Sequence, residues 1–310
     1  MNATDRQQCW HVLASAAGSH RTGIVLAVLM VAGAFLSGCT TIRPAGDAGR
    51  PIVEAPVFSH DAFDRVLQQY VDDRGRVDYA GLRANPRDLE AYYRLLTGVS
   101  PDSHPEKFPD RDHRLAYWLN AYNAAVIKTV LTYYPIDSVL DVRTPVLFFY
   151  LTDKAGFFLF QRLTFGGATT SLYFLENKVI RPRFDDPRIH FALNCAARSC
   201  PRLPRHAFTG EALDRQLDRE TRLFLSEARN FRIDHDEGVV YLSSIFKWYE
   251  DDFTGWLRGR HPDRDPDLLT YAVLYLPPEA SRTLETVAGR YTIRYLPYDW
   301  GLNDQRAAHP

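Results

Sequence analysis

The sequence predicts an α+β fold, built as a single domain over residues 56–310. Three observations support this prediction. Long stretches repeat apolar residues at helical spacing, shorter stretches have the composition and turns of strands, and the helices outnumber the strands. Apolar residues make up 45% of the chain and aromatic residues 13%, which is enough for a substantial core.

The predicted helices follow from apolar spacing, and the clearest one covers residues 112–134. Its apolar side chains form one stripe, and Pro135 ends it because proline cannot continue a helix. The other predicted helices, in chain order, are 59–70, 86–96, 172–181, 211–226, one that begins at 243, 266–275 with Asp265 as its cap, and 280–288.

The predicted strands are shorter. Residues 231–233 and 239–242 have the pattern of a hairpin that turns at 234–238. The other extended pieces are 76–79, parts of 148–165 on either side of a turn at Gly156, 188–194 and 291–296.

The N-terminal residues 1–38 have the pattern of a secretory signal peptide. An uncharged apolar core at 24–35 follows Arg21 and is shorter than the about 20 residues that a membrane-spanning helix needs. It ends in Leu-Ser-Gly before Cys39, which matches the lipoprotein box of bacteria, where the cysteine takes a diacylglycerol and becomes the first residue. The alternative is a short buried helix before a cysteine. We expect a lipid anchor at Cys39.

Residues 39–55 are predicted to be a flexible tether, because Pro, Gly, Ala and Thr dominate without an apolar period. Thr40 differs from the Asp that resembles an inner-membrane retention signal. We therefore expect the periplasmic face of the outer membrane, with the membrane and an unidentified envelope substrate or ligand as partners. The charge is nearly balanced, with 37 Lys and Arg against 38 Asp and Glu, so nucleic acid is not expected.

The residues best suited to catalysis or metal binding lie in 189–201 (IHFALNCAARSCP). Three interpretations of Cys195 and Cys200 remain open. They form a structural disulfide in an oxidising compartment, or one is a nucleophile with His190 as its base, or the pair and His190 bind a metal. The last is the weakest, since only three ligands are supplied, and we predict neither a metal nor a cofactor.

Several segments resemble the domain of unknown function 547 family, which occurs in bacterial lipoproteins and in plant and animal proteins. They are 71–79 (VDDRGRVDY), 117–124 (YWLNAYNA), 175–176 (LE), 189–195 (IHFALNC), 199–201 (SCP) and 298–303 (YDWGLN). The resemblance brings no established activity. It implies a fold related to papain-like and transglutaminase-like thiol hydrolases, and it favours Cys195 over Cys200 as the nucleophile.

The remaining candidate residues follow from these segments. Glu176 is predicted to orient His190, as a carboxylate does in a catalytic triad. Asn120, Asn123 and Arg198 are candidate binding residues, although an Asn on an apolar helix more often bonds neighbouring backbone. Two functions remain open: a thiol-dependent hydrolase or acyl transferase acting on peptide or amide bonds, or a non-catalytic envelope binding module with a Cys195–Cys200 disulfide.

Overall fold

The structure, a computed structural model, describes residues 40–45, 55–144 and 152–307. Within these ranges the chain forms helices and two three-stranded sheets, which confirms the α+β prediction. The helices are α1 (Asp61–Tyr70), α2 (Tyr79–Ala84), α3 (Arg87–Gly98), α4 (Arg111–Tyr133), α5 (Ala155–Phe158), α6 (Leu172–Phe174), α7 (Arg181–Phe184), α8 (Leu213–Ser226), α9 (Ser244–Trp248), α10 (Glu250–Arg260), α11 (Leu268–Val273) and α12 (Pro278–Val287).

Helix α4 lies at the centre of the larger hydrophobic cluster. The side chain of Asp110 accepts a hydrogen bond from the backbone N–H of His113, which caps the start of the helix. Nearly every residue from Leu115 to Val130 is buried, so the helix is surrounded rather than amphipathic. Other elements are therefore positioned by packing on α4. None of the helices in the described ranges combines the length and the apolar character that a membrane span requires.

The two sheets have the same size but different connections. In the first, β1 (Thr40–Thr41) runs parallel to β2 (Gln161–Phe165), and β2 pairs antiparallel with β3 (Ala168–Thr170). In the second, β4 (Phe231–Asp234) and β5 (Val239–Ser243) form the predicted hairpin, and β6 (Thr292–Leu296) runs parallel to β5. The hairpin and the last strand are therefore confirmed.

Residues 40–45 pack on the domain, so the predicted flexible tether over 39–55 is wrong for this part. The backbone N–H of Ile42 donates to the carbonyl of Arg162 at 2.8 Å, and the Ile42 side chain is only 2% exposed. The hydroxyl of Tyr93 donates to the Ile42 carbonyl at 3.2 Å. The free edge of β2 offers backbone partners that composition does not reveal. Residues 46–54 lie outside the described part.

Several predicted elements have a different form. Residues 188–194 are not a strand, because Pro187–Phe191 is a 3-10 helix, and the side chain of Asp186 caps it by accepting from the backbone N–H of Arg188. Within residues 76–79, Val77 forms isolated bridges and Tyr79 begins α2, so no strand forms there. Around Gly156, where a turn was predicted, the chain forms helix α5, and the extended piece after it is β2. The helix predicted to end before Pro182 continues to Phe184 through a π-helical stretch, Leu175–Ile180. The helix predicted at 266–275 is Leu268–Val273, capped by Asp267 instead of Asp265.

The segment that carries His190 runs between two hydrophobic clusters. Ile189 and Ala192 are buried in the cluster around α4, whereas Phe191 is buried in the cluster around the second sheet. Anchoring on both sides leaves little freedom for the residues between them. This junction is where the candidate site lies.

Candidate functional site

A cavity of about 690 Å³ opens at the junction of the two clusters. Its wall combines the π-helical stretch before α7, the residues after the 3-10 helix, helix α9 and the segment after β6. Three predicted catalytic residues, Glu176, His190 and Cys195, lie in this wall together with Cys200. The structure thus brings together the residues that the sequence indicated for chemistry.

Cys195 and Cys200 form a disulfide in the cavity wall, with their Cα atoms 6.2 Å apart. Cys195 is half-buried, whereas Cys200 is only 2% exposed. The hydroxyl of Tyr298 lies 3.2 Å from Sγ of Cys195 and 3.1 Å from Sγ of Cys200. Burial raises the pKa of Tyr298, so this hydroxyl keeps its proton and donates to the sulfurs.

Asn194 holds the loop that carries the two cysteines. Its backbone N–H donates to Oδ1 of Asn123 at 2.9 Å, and its Nδ2 donates to the carbonyl of Pro201 at 2.7 Å. Oδ1 of Asn194 accepts from the backbone N–H of Ala196 at 2.8 Å and from Nδ2 of Asn303 at 3.2 Å. Ala196 has a φ of 62°, a left-handed conformation that this network enforces.

His190 is bonded to a carboxylate that the sequence did not indicate. Its Nε2 lies 2.7 Å from Oδ2 of Asp252, and Arg181 donates to both oxygens of Asp252 at 2.7 and 2.9 Å. The imidazole stacks on Tyr249 with ring centroids 3.8 Å apart. Burial lowers the pKa of His190, which Asp252 only partly offsets. The ring is therefore a neutral imidazole that donates from Nε2.

The pKa of Asp252 lies well below its usual range. Burial acts to raise it, but the hydrogen bonds from His190 and Arg181 prevail. Asp252 is thus ionised, and it forms a charge-assisted network with Arg181 that fixes the ring plane of His190.

Glu176 does not orient His190, so its predicted role is wrong. Its carboxylate accepts hydrogen bonds from the hydroxyls of Tyr249 at 2.6 Å and Tyr122 at 3.2 Å. Asp252, on the first turn of α10, orients the imidazole instead, because that turn lies against the 3-10 helix. Glu176 remains an acidic group of the cavity wall.

The candidate binding residues do not line the cavity. Asn120 bonds both backbone groups of Phe208 at 2.7 and 3.0 Å, and Asn123 braces the loop before the cysteines. Arg198 is an exposed residue whose Nη1 lies 3.5 Å from Oδ2 of Asp299. These side chains shape the fold around the site rather than the cavity itself. Cys39 lies outside the described residues.

An ammonium group at the cavity wall sits between two indole rings. Nζ of Lys154 lies 4.4 Å from the ring centre of Trp248 and 4.3 Å from that of Trp300. Burial lowers the pKa of Lys154. Within the described part of the chain, no carboxylate forms an ion pair with it. Lys154 can therefore meet an anionic group of a ligand.

Sequence reasoning missed Asp252, Arg181, Tyr298 and Lys154. Asp252 is 62 residues from His190, and nothing local marks it among the acidic residues that begin α10. Tyr298 lies within the quoted segment 298–303, which could have indicated the site. Among the described residues, no group of three or more His, Cys, Asp or Glu side chains could hold a metal ion.

Comparison with known proteins identifies one family. Residues 105–225 match the sequence model described as "Protein of unknown function, DUF547". This range includes α4, the π-helical stretch, His190 and both cysteines, but not α10 or the segment around Tyr298. Neither the curated proteins nor the solved structures gave a significant match. Residues 105–225 are therefore similar to the DUF547 family, a family of unknown function.

Proposed function

We propose that this protein is a lipid-anchored bacterial envelope protein that faces the periplasm and binds an anionic ligand with an apolar or aromatic body. The cavity beside Cys195 carries the binding part of this proposal. Its volume, about 690 Å³, falls within the roughly 300–1,000 Å³ of small-molecule sites. The pattern of residues 1–38 and Cys39 supports the anchor and the compartment.

Binding is favoured over thiol catalysis by the state of the reactive groups. The sulfur of Cys195 is bonded to that of Cys200, and a disulfide sulfur is not a nucleophile. His190 is buried, and its Nε2 is directed to Asp252 rather than to a sulfur. Recognition of a ligand by the cavity requires neither a free Cys195 thiol nor a basic His190.

The cavity wall indicates the class of ligand. Tyr173, Trp248 and Trp300 present aromatic surface, which favours an apolar or planar body. Arg181 is neutralised by Asp252, whereas Lys154 has no carboxylate partner in the described ranges. A carboxylate, sulfonate or phosphate on the ligand would pair with Lys154 in partly desolvated surroundings, where the attraction is strong.

The fluorescent probe 8-anilinonaphthalene-1-sulfonate tests this proposal, because it is anionic and aromatic. Lys154→Met should weaken its binding roughly tenfold, the effect of about 1.4 kcal/mol. Lys247→Met is the matched control, since Lys247 also lies over an aromatic ring, that of Tyr295, but does not line the cavity. Equal binding by both variants, or no binding by the native protein, would contradict the anionic ligand.

The anchor has its own test. Cys39→Ser should leave an uncleaved or soluble product, because no thiol remains to be acylated. Fractionation of cell membranes and mass spectrometry of the N-terminus provide the measurement. A Cys39→Ser protein that is still processed, acylated and found with membranes would contradict the lipoprotein proposal.

A thiol-dependent hydrolase or acyl transferase is the second candidate. One observation favours it: Cys195 lines the same cavity as His190, and His190 is paired with Asp252 as a base is with its orienting carboxylate. After reduction, iodoacetamide should label Cys195 at about pH 6–7 faster than an ordinary thiol of pKa about 8.5. His190→Ala should slow this labelling. An ordinary labelling rate in both proteins would remove this candidate.

A further inference from the structure

We infer that the Cys195–Cys200 disulfide is redox-active and oxidises thiols that reach it through the cavity. This activity goes beyond ligand binding and needs neither Lys154 nor His190. It rests on three features of the pair: unequal access to the two sulfurs, unequal hydrogen bonding to them, and a loop that is held by groups other than the disulfide.

Access to the two sulfurs differs. Cys195 is half-buried in the cavity wall, while Cys200 is only 2% exposed. A thiolate entering the cavity therefore meets Sγ of Cys195 first. Thiol–disulfide exchange requires attack on one sulfur while the other leaves, so the geometry assigns attack to Cys195 and departure to Cys200.

Hydrogen bonding favours the same direction. Sγ of Cys200 accepts from the backbone N–H of Cys195 at 3.0 Å and from the Tyr298 hydroxyl at 3.1 Å. Among the described residues, Sγ of Cys195 has the Tyr298 hydroxyl, at 3.2 Å, as its single donor. Donors directed at a sulfur stabilise its thiolate, and a stabilised thiolate leaves faster. Cys200 is thus the better leaving group.

The loop does not depend on the disulfide for its shape. Asn194 bridges it from the side chain of Asn123 to the carbonyl of Pro201, and the carbonyl of Ala196 accepts from the backbone N–H of Asn303. The disulfide closes only a short loop, with a separation of 5 residues, and short loops are the ones that a cross-link stabilises least. Both sulfurs can therefore stay in place after reduction.

The reaction balances with a dithiol as the reductant. One substrate thiolate attacks Sγ of Cys195; the Cys195–Cys200 bond breaks, and its electron pair passes to Cys200. The second substrate thiolate then attacks the substrate sulfur of the mixed disulfide and releases Cys195. The substrate becomes a disulfide, losing two electrons, and its two thiol protons end on Cys195 and Cys200. The substrate class is a small dithiol, or a protein dithiol on an extended segment.

The test uses the full-length protein in detergent, purified without reductant, and dithiothreitol as the dithiol. In the native state one dithiothreitol should be oxidised per protein, with Cys195 and Cys200 becoming free. Tyr298→Phe should slow this reduction roughly tenfold, because the leaving thiolate loses a donor. Tyr173→Phe is the control, since Tyr173 lines the cavity but contacts neither sulfur.

A second pair of variants tests the assignment of the two sulfurs. With oxidised glutathione, Cys200→Ser should form a mixed disulfide at Cys195 roughly tenfold faster than Cys195→Ser forms one at Cys200. Near-ultraviolet circular dichroism confirms that each variant is folded. A disulfide that resists dithiothreitol until denaturant is added would overturn the inference. Equal rates for Tyr298→Phe and Tyr173→Phe, or for the two serine variants, would do the same.

Discussion

At the scale of single residues, Asn194 and Asp252 carry the organisation of the site. Asn194 uses its backbone N–H and both side-chain polar atoms to hold the cysteine loop, so these three groups are satisfied in a buried position. Asp252 connects two groups of the cavity wall, Arg181 and His190. The loop and the imidazole are therefore fixed by separate hydrogen-bond networks.

Asp252→Asn is expected to destabilise the protein by about 1–3 kcal/mol, because Arg181 would lose its charged partner in a partly buried position. Urea unfolding followed by circular dichroism measures the change in the free energy of unfolding. Asp251→Asn is the matched control, since Asp251 is the exposed neighbour on the same helical turn. A loss no larger than that of the control would contradict the network at Asp252.

At the scale of elements, the segment 40–45 is ordered although its composition is typical of a flexible linker. Its composition predicts a tether, but Thr40 and Thr41 pair with Gln161 and Arg162 along β2. One apolar side chain, Ile42, then enters the larger cluster. With the proposed lipid on Cys39, this pairing would hold the domain close to the bilayer instead of letting it stand away.

Ile42→Ala is expected to reduce the free energy of unfolding by about 2–4 kcal/mol, because the side chain is buried in the core. Arg43→Ala serves as the control and should stay within about 0.5 kcal/mol, since Arg43 is exposed. Denaturant unfolding of both variants provides the comparison. If Ile42→Ala unfolds like Arg43→Ala, the segment is a tether after all.

Elements with strong periodicity were predictable from the sequence, and short ones were not. Helix α4 has 23 residues and lies within one residue of its predicted bounds, because its apolar stripe and Pro135 are local signals. The strand predicted at 188–194 failed because an apolar run of this length suits either a strand or a tight helix. Asp186 as the N-cap and Pro187 at the first position favour the 3-10 helix over a strand.

At the scale of the whole molecule, the cavity is formed by segments that are distant in the chain. His190, Cys195 and Glu176 could be proposed together because they lie close in sequence. Tyr298 is 103 residues from Cys195, and only the packing of two hydrophobic clusters brings the two together. Partners at such separations have no local signal in one sequence, which is why the cavity wall was predicted only in part.

The central claim is that the cavity contains a disulfide rather than a free nucleophile, and peptide mapping tests it most directly. The protein is alkylated with iodoacetamide during lysis, without reductant, and digested with trypsin, which cleaves after Arg198 between the two cysteines. Because Arg188 and Arg202 are also cleaved, peptides 189–198 and 199–202 should be found joined. Finding the two peptides separate, with Cys195 and Cys200 each alkylated, would contradict the disulfide and favour thiol chemistry.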